Sequence, residues 1–272
     1  MSSHHPSGIV AVFSGFWRNR QLVVQMVKRE IIGRYRGSFL GLLWSFVNPV
    51  LMLAVYTFVF SIVFQARWGQ SNTNQYEFAL VLFAGLIVYN LFSECITRST
   101  GLILGNVNYV KKVIFPLEIL PWVSLGSALF HAAISLGVLV IFQWFVSTVP
   151  WTVLLFPLIM LPLLLLVMGV SWLLASIGVF IRDIGQFVGM LMTVLMFLSP
   201  IFYPVSALPE SVRDWLFLNP LTFIIEQARN VVIWGKLPDW SGLGLYALFA
   251  MTIAWAGLFW FQKTRQGFAD VL

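Results

Sequence analysis

The sequence predicts an all-α integral membrane protein with six transmembrane helices. Three observations carry this expectation. The chain of 272 residues is 60% hydrophobic and only 10% charged, where a soluble globular domain carries roughly 25% charged residues and needs them to cover a water-facing surface. Its mean hydropathy is +0.90. Its apolar residues gather into runs long enough to cross a bilayer, which takes about 20 residues of helix. The length suits a single membrane domain over 1–272 without a large soluble part.

The first element expected is an interfacial helix over 17–37. Leu22, Met26, Val27, Ile31 and Tyr35 recur at helical spacing, and Arg18, Gln21, Gln25, Lys28 and Arg29 fall on the opposite face. Such a helix lies in the membrane interface with its cations near anionic headgroups. Gly37 is the expected turn into the first span. The six-span core covers 39–261, with spans over 39–64, 78–96, 117–146, 153–181, 187–203 and 243–261. The third and fourth are longer than a bilayer requires, which implies tilt or extension past the bilayer. Residues 262–272 form a tail.

Between the last two spans, 204–238 is interrupted by Pro204, Pro209, Pro220 and Pro238. It is too polar to span as one helix and too apolar for a solvated loop. Pro220 suits the first turn of a helix. Glu226 and Arg229, three apart on that helix, are placed to pair. The stretch reads as a re-entrant external hairpin, whose irregular backbone must be packed in protein or face water.

The cations orient the chain. Arg18, Arg20, Lys28, Arg29, Arg34 and Arg36 precede the first span. Arg98, Lys111, Lys112, Arg182, Lys263 and Arg265 follow even-numbered spans. Together these are 12 of the 16 Lys and Arg, leaving Arg67, Arg213, Arg229 and Lys236 on the other side. By the positive-inside rule both termini are expected in the cytoplasm. The net charge of +6 is then a matter of topology, not of nucleic-acid binding.

Catalytic patterns are missing from the sequence. One cysteine, Cys95, excludes an intrachain disulfide, and with histidines only at 4, 5 and 131 there is no zinc pattern. The segment GIVAVFSGF lacks preceding cations and a small-residue cleavage site, so no cleaved leader is expected. There is no GxxxxGK[S/T] phosphate loop, HExxH, GxSxG or paired-carboxylate constellation. His131, midway in the third span, reads either as a proton relay or glycan contact, or as a neutral histidine bonded between helices. Glu94 and Glu118, near span ends, are expected to pair with basic groups. An ion-driven carrier would place acids nearer the midplane. Small-residue spacings occur at Gly33, Gly37 and Gly41, at Gly101 and Gly105, and at Gly185 and Gly189; these serve close helix contact or turns. Most of the abundant aromatics fit an interfacial belt. Tyr56 and Phe60 in the first span, with Phe197 and Phe202 in the fifth, are candidates for lining a path, because aromatic faces suit the apolar faces of sugar rings.

Four stretches together carry a resemblance: REIIGRYRGSFLGLLWSFVNPVLMLAVYTFVFSIVF, NVNYVKKVIFPLEILP, GVFIRDIGQFVGMLMTVLMFLSPIFYP and LNPLTFIIEQAR. In this order they resemble the permease subunits of ATP-binding-cassette polysaccharide exporters, which move O-antigen, capsular polysaccharide or teichoic acid. The resemblance covers nearly the whole chain. It implies a bacterial inner-membrane channel made of two copies, driven by two copies of a separate ATPase subunit that holds the ATP and Mg, with no cofactor and no catalysis in this chain. The substrate it implies is a polyprenyl-diphosphate-linked polysaccharide, O-antigen first among them. It places Arg34, Tyr35 and Arg36 at the entrance for the lipid diphosphate, where arginine suits phosphate geometry. It assigns coupling to the ATPase to Lys28, Arg29, Asn108, Tyr109, Lys111, Lys112, Arg182 and Asp183; the last two have a plain loop-capping role as the alternative. It makes the hairpin, with Pro204, Pro209, Pro220, Glu226 and Arg229, an external gate. Competing readings are an exporter of a small lipophilic molecule, an ion-coupled flippase, and a membrane enzyme acting on lipid-linked sugars.

Overall fold

The computed structural model describes residues 11–65, 68, 76–110, 115–216 and 218–272. Two helices, α1 (Ala11–Arg18) and α2 (Arg20–Arg34), precede the bundle. The apolar helices are α3 (Trp44–Tyr56), α4 (Glu77–Ser99), α6 (Leu120–Val146), α7 (Phe156–Phe180), α8 (Ile184–Leu198) and α11 (Trp240–Thr264). Between them lie the short α5 (Val107–Val110), α9 (Glu210–Leu216) and α10 (Pro220–Val232), and α12 (Phe268–Val271) ends the chain. No strand occurs among the described residues.

Five helical segments are long and apolar enough to cross a membrane: Gly41–Val63, Glu77–Ser99, Leu117–Val146, Trp151–Phe180 and Trp240–Val271. They match five of the expected spans to within a few residues at most of their ends. The expected span over 187–203 is corrected to α8, with 15 residues, about 22 Å long at 1.5 Å per residue against a hydrocarbon thickness of about 30 Å. Its end has a local cause. Pro200 follows Ser199, and a residue before proline is pushed out of the helical region; Ser199 is extended, with φ −84° and ψ 147°.

The bundle is built around α4. Of its most apolar stretch 83% is buried, against 11% for the first span, so α4 is the axis and α3 the rim. α4 packs on α6, α7 and α10. α7 and α11 run parallel and touch along their length. A Cβ on Gly257 would overlap the Gly169 carbonyl, the Ser176 and Thr264 hydroxyls bond at 2.6 Å, and Phe180 meets Phe268. Close approach through glycine is a common device where the hydrophobic effect does not drive helices together. Gly169 and Gly257 were not among the expected spacings; of those that were, Gly185 comes close to Thr100. Gly33, Gly101, Gly105 and Gly189 face open space, and Gly37 and Gly41 form the turn out of α2 with φ +85° and +52°.

α2 lies against α6, not only along a membrane surface. Val23 and Met26 are buried, and Val27 fills the space left by Gly126. The buried stripe is therefore centred on residues 23, 26, 27 and 30, rotated from the expected one. At the other end of the chain, Arg265 Nη1 donates to Glu118 at 2.7 Å and Arg265 Nη2 to the Phe115 carbonyl at 2.9 Å. Gly15 of α1 sits beside the same glutamate. The two ends of the described chain thus meet at one end of the bundle, and Glu118 is paired as expected. α10 and α11 are capped by side chains: Asn219 Oδ1 accepts from the Leu221 amide at 2.9 Å, and Asp239 Oδ1 from the Ser241 and Gly242 amides at 3.1 Å. Pro220 takes the first helical position of α10, as the sequence predicts.

Gly257→Leu is expected to force α7 and α11 apart and destabilise the protein by at least about 1–3 kcal/mol, the usual cost of overpacking. Gly189→Ala, into open space within α8, is expected to be neutral or stabilising by up to about 1 kcal/mol. Thermal unfolding in detergent compares them; equal midpoints would contradict the packing described.

Candidate functional site

The strongest concentration of polar groups lies where α2 ends against α4 and α6. Glu94, on α4, is its centre. Arg34 Nη1 donates to Glu94 Oε1 at 2.5 Å, and Arg98, one turn along α4, reaches the same oxygen at 3.5 Å. Arg98 also pairs with Glu30 of α2. His131 Nδ1 lies 3.2 Å from Glu94 Oε2 and 3.0 Å from Arg34 Nη1, and its Nε2 lies 3.2 Å from the Tyr35 hydroxyl. An arginine only donates, so Nδ1 accepts from Arg34 in one tautomer and donates to Glu94 in the other. His131 is thus bonded between helices, and Glu94 is paired with cations, as expected of each. Glu30 was not singled out from the sequence. It follows Val23, Met26 and Val27 on the buried stripe, a register visible only once the helix is docked.

The expected diphosphate set is divided. Arg34 and Tyr35 turn into this network, with Arg34 committed to Glu94. Arg36 is exposed and, among the described residues, has no carboxylate within 4.0 Å. The network borders a cleft of about 550 Å³ between α3, α4 and α6, into which Ser45, Asn48, Asn90, Ser93 and Ser135 also face. A second cavity, about 790 Å³ and almost wholly apolar, runs under α2 between α6 and α7, with Lys28 on its edge.

The described residues of the expected coupling set sit at the same end of the bundle. Arg29 Nη2 donates to the Tyr109 hydroxyl at 2.9 Å, joining α2 to α5. Tyr109 stacks on Phe115 with ring centroids 4.3 Å apart. Asn108 is exposed. Arg182 and Asp183 are exposed in the turn between α7 and α8, which packs on Thr100 at the end of α4. Asp183 stands at the N-cap of α8 but its side chain makes no capping bond. Lys111 and Lys112 lie outside the described residues.

The aromatic candidates from the first and fifth expected spans are brought together. Phe60 lies 6.5 Å from Tyr56 and 6.5 Å from Phe202, ring centroid to centroid, and Phe202 lies 5.9 Å from Phe197. Phe60 also stacks on Phe78 of α4 at 5.2 Å. The first span changes to a π-helix over Thr57–Val63, a local widening often found where a helix does more than pack. Phe197 remains 60% exposed at the open end of the row.

At the opposite end of the bundle, Pro204 leads a tight turn over Val205–Ala207 and Pro209 precedes α9. Glu226 and Arg229 pair at 2.9 Å as expected, and the Arg229 side chain is enclosed by protein. It is 0% exposed. Its Nε donates to the Val81 carbonyl of α4 at 3.1 Å, its Nη2 to the Ile201 carbonyl at 3.0 Å, and it lies over the Trp68 ring at 4.4 Å. Burial lowers its pKa to about 10, with Glu226 opposing, so it is charged at neutral pH. Arg229 staples α10 to α4 and to the chain beyond α8. Periodicity marks α10 as amphipathic; which face is buried depends on helices 150 residues away in sequence.

No cluster of three or more metal-binding side chains occurs among the described residues. Residues 21–233 match the ABC-2 type transporter family. The chain is 31% identical over 257 residues to an O-antigen export system permease protein of Myxococcus xanthus, covering 93% of this chain and 96% of the relative. It is 26% identical to one from Klebsiella pneumoniae, covering 92% and 95%. It is 24% identical to a polysialic acid transport protein of Escherichia coli, covering 90% and 94%.

Arg229→Ala strands two buried carbonyls, each worth about 1–3 kcal/mol when left unpaired. The variant is expected to lose roughly 3 kcal/mol or more of stability, read by thermal unfolding in detergent. An unchanged midpoint would show that the staple carries no load.

Proposed function

Since the chain belongs to the ABC-2 type transporter family, we propose that it is the membrane permease subunit of an exporter of lipid-linked polysaccharide, driven by a separate ATP-binding-cassette subunit. The carrying observation is the full-length similarity to O-antigen export permeases, at 31% identity in one case, and O-antigen is the substrate class we favour. The chain acts as a path and a lever, and carries no reaction of its own.

Two copies form the channel in the bacterial inner membrane, with two ATPase subunits on the cytoplasmic face holding ATP and Mg. α8 with the residues after it makes the sixth crossing. This is supported by the meeting of the chain ends at one end of the bundle, which five crossings would not allow. The excess of Lys and Arg supports a cytoplasmic position for that end. The ATPase pushes on α5 and on the turn at Arg182 and Asp183. The Arg29 bond to Tyr109 passes the movement to α2, and the Glu30–Arg98 and Arg34–Glu94 pairs pass it to α4. Arg36, with no carboxylate near it among the described residues, meets the lipid diphosphate, while Arg34 holds the frame of the entrance. The row from Tyr56 to Phe197 offers flat apolar faces along which sugar rings slide, because stacking is tolerant of sequence and position. The hairpin of α9 and α10 closes the far end, with α10 as its fixed leaf.

Deletion of the gene is expected to remove the glycan from the cell surface and to build up lipid-linked glycan inside. Unchanged surface glycan in a strain with no duplicate exporter would refute the assignment. Arg36→Ala is expected to lower surface glycan about tenfold, the order of one lost charge-assisted hydrogen bond, at an unchanged membrane level of the protein. Normal export by this variant would remove the diphosphate role.

A further inference from the structure

The cleft between α3, α4 and α6 has a chemistry that the network at its border does not use. Asn48 on α3, Asn90 and Ser93 on α4, and Ser135 on α6 all face it. Among the described residues none of these four side chains makes a hydrogen bond. Each asparagine brings two donors and an acceptor, and each serine one donor and two lone pairs. Leaving such groups bare in hydrocarbon costs several kcal/mol apiece. Three apolar helices turning them onto one surface marks a place that is wet or occupied by a polar ligand. Pro49, which also lines the cleft, has no amide hydrogen for the Ser45 carbonyl one turn earlier.

The charges decide what kind of ligand. Arg34 and Arg98 are both engaged by Glu94, and Arg98 also by Glu30. Among the described residues no spare cation faces the cleft, so an anion would have to displace Glu94. What remains is a set of neutral donors and acceptors, with a carboxylate edge that takes hydroxyl hydrogens. That set suits a polyhydroxyl segment better than a phosphate. The volume of about 550 Å³ falls within the roughly 300–1,000 Å³ of small-molecule sites. Arg36, which has no ion pair among the described residues, stands just beyond the end of α2, outside the cleft.

We infer that this cleft binds sugar residues of the transported glycan next to its lipid carrier, through Asn48, Asn90, Ser93 and Ser135, with Arg36 outside for the diphosphate. The inference rests on the polysaccharide reading above and adds a site to it. Glu94 and His131 position the cleft by holding α2, α4 and α6 together. Their place in it also explains why a carboxylate and an imidazole stand so close to a row of neutral amides and hydroxyls.

The test is photo-crosslinking in the intact transporter in cells, with a photoreactive residue at position 90 or 135 and, as control, at position 248 on the exposed face of α11. Adducts are analysed for glycan, prenyl diphosphate and phospholipid. Glycan-bearing adducts at 90 and 135 but not at 248 are expected. Adducts containing only prenyl diphosphate or phospholipid, equal labelling at 248, or no adduct while export continues would each overturn the site. As a second reading, the double variant Asn48→Leu with Asn90→Leu is expected to lower surface glycan about tenfold or more at unchanged membrane level, and normal export by it would also overturn the site. A gene deletion without effect on surface glycan would instead remove the polysaccharide reading itself.

Discussion

A single carboxylate inside an apolar helix organises the end of the molecule where substrate and partner are proposed to meet. Glu94 accepts from arginines of two helices and touches a histidine of a third. A charge in that setting is costly unless paired, and removing one partner leaves the others exposed to that cost. The network therefore fixes three things together: the seat of α2 on α6, the orientation of Tyr35, and the open polar surface between α3, α4 and α6. Networks of this kind are worth more as a unit than as separate pairs, which suits an element that must move as one piece.

The far end is held by the same principle in another form. Arg229 is buried, charged and shared between two backbone carbonyls, a carboxylate and an indole face. With α10 fixed on α4 in this way, α4 becomes a rod anchored at both ends by arginine. In the proposed mechanism a push delivered near Arg98 would be carried along a helix whose apolar stretch is 83% buried. The first span is nearly bare by comparison, and it carries the π-helical turn and, in Tyr56 and Phe60, half of the aromatic row. Rigid axis and adaptable rim are what a conformational transporter without chemistry of its own requires.

Much of this was legible in the sequence, because the bilayer imposes length and polarity on each helix. The five long spans, the turn at Gly37, the helix starting at Pro220, the Glu226–Arg229 pair and the pairing of Glu94 and Glu118 all follow from local spacing or from the high cost of unpaired charge. What was not legible depends on partners distant in sequence. The register of α2 is set by Gly126 and Glu30. The commitment of Arg34 to Glu94 required α2 to dock. The burial of Arg229 required Val81 and Ile201. The contact glycines, Gly169 and Gly257, have no second glycine four residues away in their helices, so no GxxxG spacing marks them. The early end of α8 was readable at Ser199–Pro200, where a continuous apolar run concealed it.

The most direct test places the purified permease, with its ATPase subunit, in lipid vesicles loaded on the outer face with lipid-linked glycan. Glycan reaching the interior is measured with and without ATP. ATP-dependent accumulation of intact glycan, absent when either subunit is omitted, is the expected result. Glycan transfer that proceeds equally without ATP, or an ATPase-coupled complex that moves no glycan-bearing lipid, would contradict it.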